Sequence, residues 1–380
     1  MFTCKMPGTV CAGENALNAL GTLCGGARKA AVFSDRGIQA SGALALPLKK
    51  LEEAGIDYTL LCDLPAEPTC DQAQTVVDAF RAVDAQVIVA VGGGSVMDIA
   101  KLCSIASGEG VTVRALLEDP GKGRKAVRTV MIPTTAGTGA EATPNAIVAV
   151  PEKELKVGIV CQEMIPDAVI LDGEMIRRLP LKIAASTGID ALCHAIECYT
   201  SKKATPFSDL YAMEALKLIF ANLEPACLDS EALESKNAML MAAYYAGVAI
   251  TCSGTTAVHA LSYPLGGKYH IPHGVANAML LMPVMRFNLP CCQAHFARVY
   301  DALGQKGAES EAEKAAWLLE CMEQMVKRLD IPTDLKQYGV PKEDLPGLVK
   351  AGMEVQRLLG NNLRTVTAED AREIYAGLLG

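Results

Sequence analysis

The chain has 380 residues, 51% of them hydrophobic, and a formal net charge of −8 at pH 7. This hydrophobic content excludes an intrinsically disordered chain, and the length favours two domains over a single core. The acidic balance, without a dense block of Lys and Arg, excludes the electrostatic footprint of a nucleic-acid-binding protein.

The N-terminus has no basic segment followed by an apolar run, and no stretch is apolar for long enough to predict a membrane span. The 14 cysteines are scattered along the chain and include no CxxC pair. This distribution is typical of buried thiols in a reducing compartment rather than of a disulfide framework. We therefore expect a cytoplasmic protein without a membrane partner.

The first half alternates short β-branched apolar runs with amphipathic segments. The predicted strands are KAAVFS, YTLLC, QVIVAVG, VRTVMIPTT and AVILD, and the predicted helices are ALALPLKKLEEAG, QAQTVVDAFRAV and VMDIAKLCSIAS. This alternation indicates an α/β domain with a doubly wound, mostly parallel sheet. NAIVAV and KVGIV flank the polar PEKE, which predicts a hairpin appended to that sheet.

After Pro180 the apolar residues recur at helical spacing. The segments with this pattern include ALCHAIECYT, FSDLYAMEALKLIFANL, ESKNAMLMAAYYAGVAI and EKAAWLLECMEQMVKRL. We place the boundary near residues 179–182, where the proline interrupts the pattern. The sequence therefore predicts an α/β domain over residues 1–180 and an all-α domain over residues 181–380, with a cleft between them.

A candidate metal site lies in the second half. Asp190 and His194 are four residues apart in GIDALCHAIE, which places both side chains on one helix face. His259 and His273 would complete three imidazoles and one carboxylate, a set that suits Fe(II), Zn(II) or a similar ion and leaves a position for a substrate oxygen. Each residue alone has an ordinary alternative, as a core histidine or a helix cap. We expect His295 in a different helix, outside this set.

The first candidate cofactor turn is QVIVAVGGGSVMDIAK. It runs a predicted strand into three glycines and a serine, Gly92, Gly93, Gly94 and Ser95. Glycine lets the backbone approach a ligand, and the amides at the start of a helix favour an anion, so the turn predicts a pyrophosphate site. The spacing is not GxGxxG, and a tight turn without a ligand is the alternative. Asp98, on the first turn of a helix predicted to begin near Val96, either contacts the cofactor or caps the helix.

A second turn, IPTTAGTGAE, offers the hydroxyls of Thr134, Thr135 and Thr138 and suits a phosphate or nicotinamide ribose, although alone it is only a polar loop. Two such loops at strand ends define one crevice. Asp35 ends the first strand, where an acid binds the adenosine ribose and repels a 2′-phosphate, which favours NAD over NADP. Arg36 beside it weakens that preference, and a plain turn residue is the alternative.

Together, these motifs resemble the iron-containing alcohol dehydrogenase family, in the branch that includes lactaldehyde reductase and 1,3-propanediol dehydrogenase. The resemblance runs from the strand ending at Asp35 through GGGSVMDIAK, IPTTAGTGAE and GIDALCHAIE to HALSYPLGGKYHIPHGVANAMLL. It implies an NAD(H)-linked dehydrogenase or aldehyde reductase that acts on a small alcohol or aldehyde. It also implies one divalent metal between the domains, Fe(II) before Zn(II) or Mn(II), and a homodimer or larger homo-oligomer.

Position by position, the resemblance carries the family's metal ligands onto Asp190, His194, His259 and His273. It carries the cofactor contacts onto Asp35, Gly93, Gly94, Ser95, Asp98, Thr134, Thr135, Thr138 and Lys156, and it places Asn145, Ile250 and Tyr263 near the substrate.

One position departs from the branch, whose members carry a histidine proposed to relay a proton four residues after the third ligand. This chain has Tyr263 there. His270 either takes over that role or is an ordinary packed or solvated histidine.

Two other classes stay open. One is an NAD- and metal-dependent lyase like dehydroquinate synthase, from the same superfamily. The Asp190 and His194 pair and the PHG ending at Gly274 favour the dehydrogenase branch over it. The other is a thiol-rich redox sensor, for which the adjacent Cys291 and Cys292 are the best argument.

Overall fold

The computed structural model describes residues 2–65, 68–106, 108, 110–153 and 155–380. Its strands are β1 (Thr9–Ala12), β2 (Lys29–Phe33), β3 (Asp57–Leu61), β4 (Val87–Gly92), β5 (Arg128–Pro133), β6 (Asn145–Val150), β7 (Leu155–Val160) and β8 (Ala168–Leu171). The helices before residue 180 are α1 (Leu20–Leu23), α2 (Arg36–Ser41), α3 (Ala45–Glu53), α4 (Cys70–Arg81), α5 (Gly94–Ala106) and α6 (Val113–Glu118). Those after it are α7 (Leu181–Tyr199), α8 (Pro206–Leu228), α9 (Leu233–Ser253), α10 (Ala257–Tyr269), α11 (His273–Ala302), α12 (Glu311–Arg328), α13 (Leu345–Glu354), α14 (Gln356–Leu359) and α15 (Ala368–Leu379).

Six strands form one parallel sheet in the order β1-β8-β5-β4-β2-β3, which confirms the predicted doubly wound architecture. The central strand β4 is buried on both faces. Val89 and Val91 pack with Leu51 of α3 on one face, and Ile88 packs with Ile99 of α5 on the other. Burial on both faces explains why this strand is a continuous apolar run instead of an alternating one.

The predicted hairpin is present, since β6 and β7 pair antiparallel from Asn145↔Val160 to Val150↔Leu155. It forms a two-stranded sheet of its own and packs against α5 and α10, so the expectation that it extends the main sheet is wrong. Alternate residues of β6 are buried, which gives this hairpin an apolar face for α5. The edge strand β1 was missed because a run as short as TVCA carries too little periodicity to be recognised.

The second half is helical, as predicted, and α7 begins at Leu181 directly after Pro180. Capping boxes at Thr205, Ser310 and Thr367 fix the starts of α8, α12 and α15. The helix α7 carries the GIDALCHAIE motif and packs against α8, α9 and α11, so nearly its whole second half is buried. The candidate ligands on α7 therefore lie inside the protein and not on a surface.

The helix α11 contradicts two expectations. It is long and apolar enough to cross a membrane by length and composition, although 61% of its most apolar window is buried against the rest of the protein. It packs with α7, α10 and α12, and its exposed positions include the charged Arg286 and Arg298, so it is a core helix of the folded protein. It also carries both His273 and His295, so the expectation that His295 lies in a different helix is wrong.

A glycine contact ties the loop after β5 to the helical half. Gly139 has a left-handed backbone with φ of 60°, and a side chain there would lie 2.6 Å from the Cα of Gly247 in α9. Any Cβ at this position would meet backbone atoms, which cannot rotate away. The threonine-rich loop and α9 can therefore pack this closely only because Gly139 has no side chain.

We expect Gly139→Ala to lower the free energy of unfolding by about 2–4 kcal/mol, from backbone strain plus overpacking. Urea denaturation followed by far-UV circular dichroism measures this change. Gly377→Ala is the matched control, because a Cβ there meets nothing within 4 Å in the exposed part of α15. It should raise stability by about 0.5–1 kcal/mol. Equal stability of the two variants would contradict the role assigned to the contact.

Candidate metal centre and cofactor cleft

The structure brings the four predicted ligands together. Asp190 and His194 project from one face of α7, His259 comes from the first turn of α10, and His273 is the first residue of α11. One ligand atom from each residue can be chosen so that all four lie within 4.8 Å of one another. The His194 and His259 rings stack with centroids 4.4 Å apart. Three helices thus place one carboxylate and three imidazoles around a single point.

The charges at this cluster suit a cation. Burial opposes ionisation of Asp190, but the surrounding imidazoles outweigh burial and hold the pKa of its carboxyl well below the ordinary value. Burial lowers the pKa of His273 to about 4 and also lowers the pKa of His194. At neutral pH Asp190 therefore offers an ionised carboxylate, and His194 and His273 offer unprotonated imidazole nitrogens, which are the forms that bind metal ions.

Glu197 orients His259. Its Oε2 accepts a hydrogen bond from His259 Nδ1, and its Oε1 accepts from Thr256 N at 3.0 Å and Val258 N at 2.8 Å. Burial disfavours the imidazolium, but this carboxylate outweighs burial and raises the pKa of His259 to about 9. With Nδ1 bonded to Glu197, Nε2 faces Asp190 at 3.6 Å. Glu197 was not predicted from the sequence, although Glu197 lies three residues after His194 and therefore near it on the same helix.

Asn277 was also missed, although it lies one helical turn after His273 on α11. Its Nδ2 is 2.6 Å from Asp190 Oδ1, 3.1 Å from His259 Nε2 and 3.2 Å from His273 Nε2. Its buried Oδ1 has no hydrogen-bond partner among the described residues. One carboxylate oxygen and two imidazole nitrogens thus converge on a single point, and this set of atoms fits a divalent cation.

The threonine-rich loop reaches the metal cluster directly. His194 Nδ1 lies 3.3 Å from the carbonyl oxygen of Gly137. A side chain at Gly137 would lie 2.7 Å from the backbone oxygen of Thr187 in α7, so only glycine permits this approach. The loop after β5 therefore both lines the cavity, through Thr138, and contacts the ring of the candidate ligand His194.

The two predicted cofactor loops contact each other. β4 ends at Gly92 and α5 begins at Gly94, two residues before the predicted start. The N–H of Thr134 donates to the Gly92 carbonyl at 3.0 Å, and a side chain at Gly94 would lie 3.0 Å from Thr138. Thr135 packs against Gly93. A side chain would be crowded at Gly94 but would make only an ordinary contact at Gly93, 3.5 Å from Thr135. Gly94 and Ser95, at the start of α5, line the cleft.

Asp98 and Asp35 have structural partners. The Asp98 carboxylate pairs with Lys101 at 2.9 Å and accepts from Ile147 N at 2.9 Å, so it anchors the hairpin to α5 while lining the cleft. Asp35 follows β2 and caps α2 by accepting from Ile38 N at 2.8 Å. Arg36 beside it is held by Asp63 at 2.5 Å.

One cavity of about 580 Å³ joins both predicted sites. Its lining includes these residues that the sequence analysis assigned to cofactor, substrate or metal: Gly94, Ser95, Asp98, Thr138, Asn145, Lys156, His194, Ile250, His259, Tyr263 and His273. His270 lies outside this lining, where it is exposed and ends α10 in a left-handed conformation with φ of 53°. The structure therefore brings Tyr263, and not His270, to the cavity.

Glycine and threonine loops that open into the same cavity as an Asp-His cluster are typical of a metal-dependent, nucleotide-linked oxidoreductase. Sequence comparison agrees with this class. The family described as iron-containing alcohol dehydrogenase matches residues 7–173, and its C-terminal counterpart, the Fe-containing alcohol dehydrogenase family, matches residues 184–379. The chain belongs to the iron-containing alcohol dehydrogenase family.

Individual relatives are similar over nearly their whole length. The NAD-dependent methanol dehydrogenase of Bacillus methanolicus is 32% identical over 97% of both chains. The lactaldehyde reductase of Escherichia coli K12 is 33% identical over 92% of both chains. The crystal structure of a 1,3-propanediol oxidoreductase superposes with a TM-score of 0.92, at 30% identity, over 100% of both chains. The family and branch suggested by the sequence motifs are thereby confirmed.

We expect Glu197→Gln to weaken divalent-metal binding about 10- to 100-fold, because the neutral amide no longer fixes the His259 tautomer or charge. Equilibrium dialysis of the metal-free protein against Zn(II) measures the affinity without any turnover. Glu320→Gln, an exposed position on α12, is the control and should bind metal as the parent does. Unchanged affinity in Glu197→Gln would show that this hydrogen bond does not support the centre.

Proposed function

We propose that the protein is an NAD(H)-linked, metal-dependent alcohol dehydrogenase or aldehyde reductase for a small alcohol or aldehyde, with Asp190, His194, His259 and His273 as the metal ligands. The observation that carries this proposal is the convergence of these four side chains, three of which, His194, His259 and His273, line the cavity that the glycine and threonine loops also line. When bound, the ion supplies Lewis-acid polarisation of the substrate oxygen, and the nicotinamide supplies the hydride chemistry.

The residues of the chain provide position and proton transfer. The amides of Gly94 and Ser95 at the start of α5 bind the pyrophosphate, and Thr138 lies beside them. Asn145, at the start of β6, orients the substrate from the end of the hairpin that lies opposite its turn. Lys156 on β7 lines the same cavity, and we assign it to the nucleotide ribose, as the family resemblance implies. Closure of the two halves around this cleft would exclude water.

The coenzyme preference rests on Asp35. Its position after β2, beside β4 in the sheet, is the place where an acid contacts the adenosine ribose. Because Arg36 is paired with Asp63, its charge is less available to bind a 2′-phosphate. These contacts support NAD over NADP.

The remaining proposals rest on the sequence. We propose a dinucleotide-binding domain over residues 1–180 and a metal-binding helical domain over residues 181–380. The start of α7 at Leu181 supports this boundary. We also propose a homo-oligomer that resides in the cytoplasm.

The two rival classes differ in their readout. Burial raises the pKa of Cys292 to about 12, which keeps this thiol protonated and argues against a redox sensor. A screen of short aldehydes with NADH and Fe(II)-loaded protein separates the classes. Net NADH oxidation supports the dehydrogenase, and product without net NADH change supports the lyase. The absence of both NADH oxidation and product supports the sensor.

We expect His259→Ala to abolish turnover while leaving NADH binding nearly intact, because the imidazole contacts the metal and not the coenzyme loops. Aldehyde-dependent NADH oxidation measures the first effect, and NADH fluorescence titration measures the second. Elemental analysis of anaerobically purified parent and variant identifies the ion and its loss. A variant with unchanged rate and unchanged metal content would refute the site.

We expect Tyr263→Phe to lower kcat about 100-fold, in the range of a lost general acid or base. Tyr263 lines the cavity, and its ring centroid lies 6.4 Å from that of His273. Burial raises the pKa of its hydroxyl, so the hydroxyl stays protonated and can donate at neutral pH. His270→Ala is the comparison and should have the smaller effect, because His270 lies outside the cavity. The reverse order would assign the proton transfer to His270.

A further inference from the structure

The cavity carries more positive than negative side chains. Its basic lining residues are Lys156, Lys203 and Arg357, and its acidic lining residue is Asp98, whose carboxylate is already paired with Lys101. Among the described residues, no carboxylate oxygen lies within 4.0 Å of the Arg357 guanidinium or the Lys203 ammonium. Two cations therefore face the cavity without an acidic partner from the described part of the chain.

Arg357 lines the cavity and interacts with Tyr263. It belongs to α14, and its Nη2 would be 3.6 Å from a Cβ on Gly158 of the hairpin. Its guanidinium also acts on the hydroxyl of Tyr263, whose ring lies beside His273. The absence of a side chain at Gly158 leaves room for the guanidinium at this position.

Lys203 is brought to the same wall by a backbone link. Ser201 forms a bridge with Asn362, and Lys202 N donates to the Asn361 carbonyl at 2.7 Å. These contacts join the turn after α7 to the segment after α14. Lys203 and Arg357 therefore come from two different segments that are hydrogen-bonded to each other, and both side chains line the cavity.

The coenzyme phosphates do not account for these two cations. The pyrophosphate is expected at the start of α5, where Gly94 and Ser95 offer backbone amides. Arg357 and Lys203 belong instead to the helical half, which also holds Tyr263 and the Asp-His cluster. The family resemblance assigns the third cation, Lys156, to the nucleotide.

We propose that Arg357 and Lys203 bind an anionic group at the far end of the substrate, so that the protein acts on short aldehydes or alcohols that carry a carboxylate, sulfonate or phosphate. This inference rests on the proposed dehydrogenase function. The oxygen at one end of the substrate lies at the Asp-His cluster, and the anion at the other end meets the guanidinium. The planar fork of arginine matches the paired oxygens of all three anions.

The first test compares matched aldehydes with the metal-loaded enzyme and NADH. The probes are 4-oxobutanoate and its neutral isostere 4-oxobutanamide, with sulfoacetaldehyde and glycolaldehyde phosphate as the sulfonate and phosphate arms. We expect kcat/KM for at least one anion to exceed that of the neutral amide by about 10- to 100-fold, as for a charge-assisted hydrogen bond. The anion with the largest ratio identifies the group that is recognised.

The second test uses variants and follows the anion-to-neutral ratio, which corrects for any general loss of rate. Arg357→Gln and Lys203→Gln should each reduce the ratio, and Arg357→Lys should restore part of it. Lys202→Gln is the matched control, since this neighbouring lysine is exposed and does not line the cavity. An unchanged ratio in both Arg357→Gln and Lys203→Gln would overturn the proposal.

Failure of this proposal can be distinguished from failure of the proposed function. NADH oxidation with all aldehydes at equal kcat/KM would overturn anion recognition and leave the dehydrogenase in place. If no aldehyde is turned over, the dehydrogenase fails, and calorimetric titration of the protein–NADH complex with succinate and succinamide tests recognition alone. Preferential succinate binding that Arg357→Gln removes would support the proposal, and equal binding of both probes would overturn it.

Discussion

The structure depends on one convergence, that of the Asp190 carboxylate with the imidazoles of His194, His259 and His273. Their ligand atoms lie within 4.8 Å of one another in the buried interior of a helical bundle. Without a cation, the ionised Asp190 and the unprotonated nitrogens of His194 and His273 lie close together with their hydration reduced by burial, which costs free energy. The hydrogen bond that His259 donates to Glu197 and the one that Asn277 donates to Asp190 offset part of this cost and preserve the arrangement in the absence of an ion.

This constraint also joins the two halves of the chain. The Gly137 carbonyl meets His194, and Gly139 packs against Gly247 of α9. A displacement of the loop after β5 relative to the bundle would therefore disturb His194. Because the same loop contacts the glycine turn after β4, the glycine turn and the Asp-His cluster are structurally coupled.

The sequence predicted those parts of the site that local spacing encodes. Asp190 and His194 lie one helical turn apart, and the glycine turn follows an apolar strand, so both were recognisable from pattern alone. Asn277 and Arg357 were not, because their role depends on which helices pack together, and the four-residue strand β1 was too short to show a period. Glu197 lies between these cases, since its helix face was readable but its partner on α10 was not.

The replacement of a histidine by Tyr263 changes the electrostatics of the substrate end. A histidine there would titrate near neutral pH, whereas the buried tyrosine remains uncharged and keeps its proton. The neighbouring Arg357 therefore faces a neutral hydroxyl, and its charge remains available to the cavity. Under the two proposals, proton transfer and charge recognition fall to two adjacent side chains, Tyr263 and Arg357.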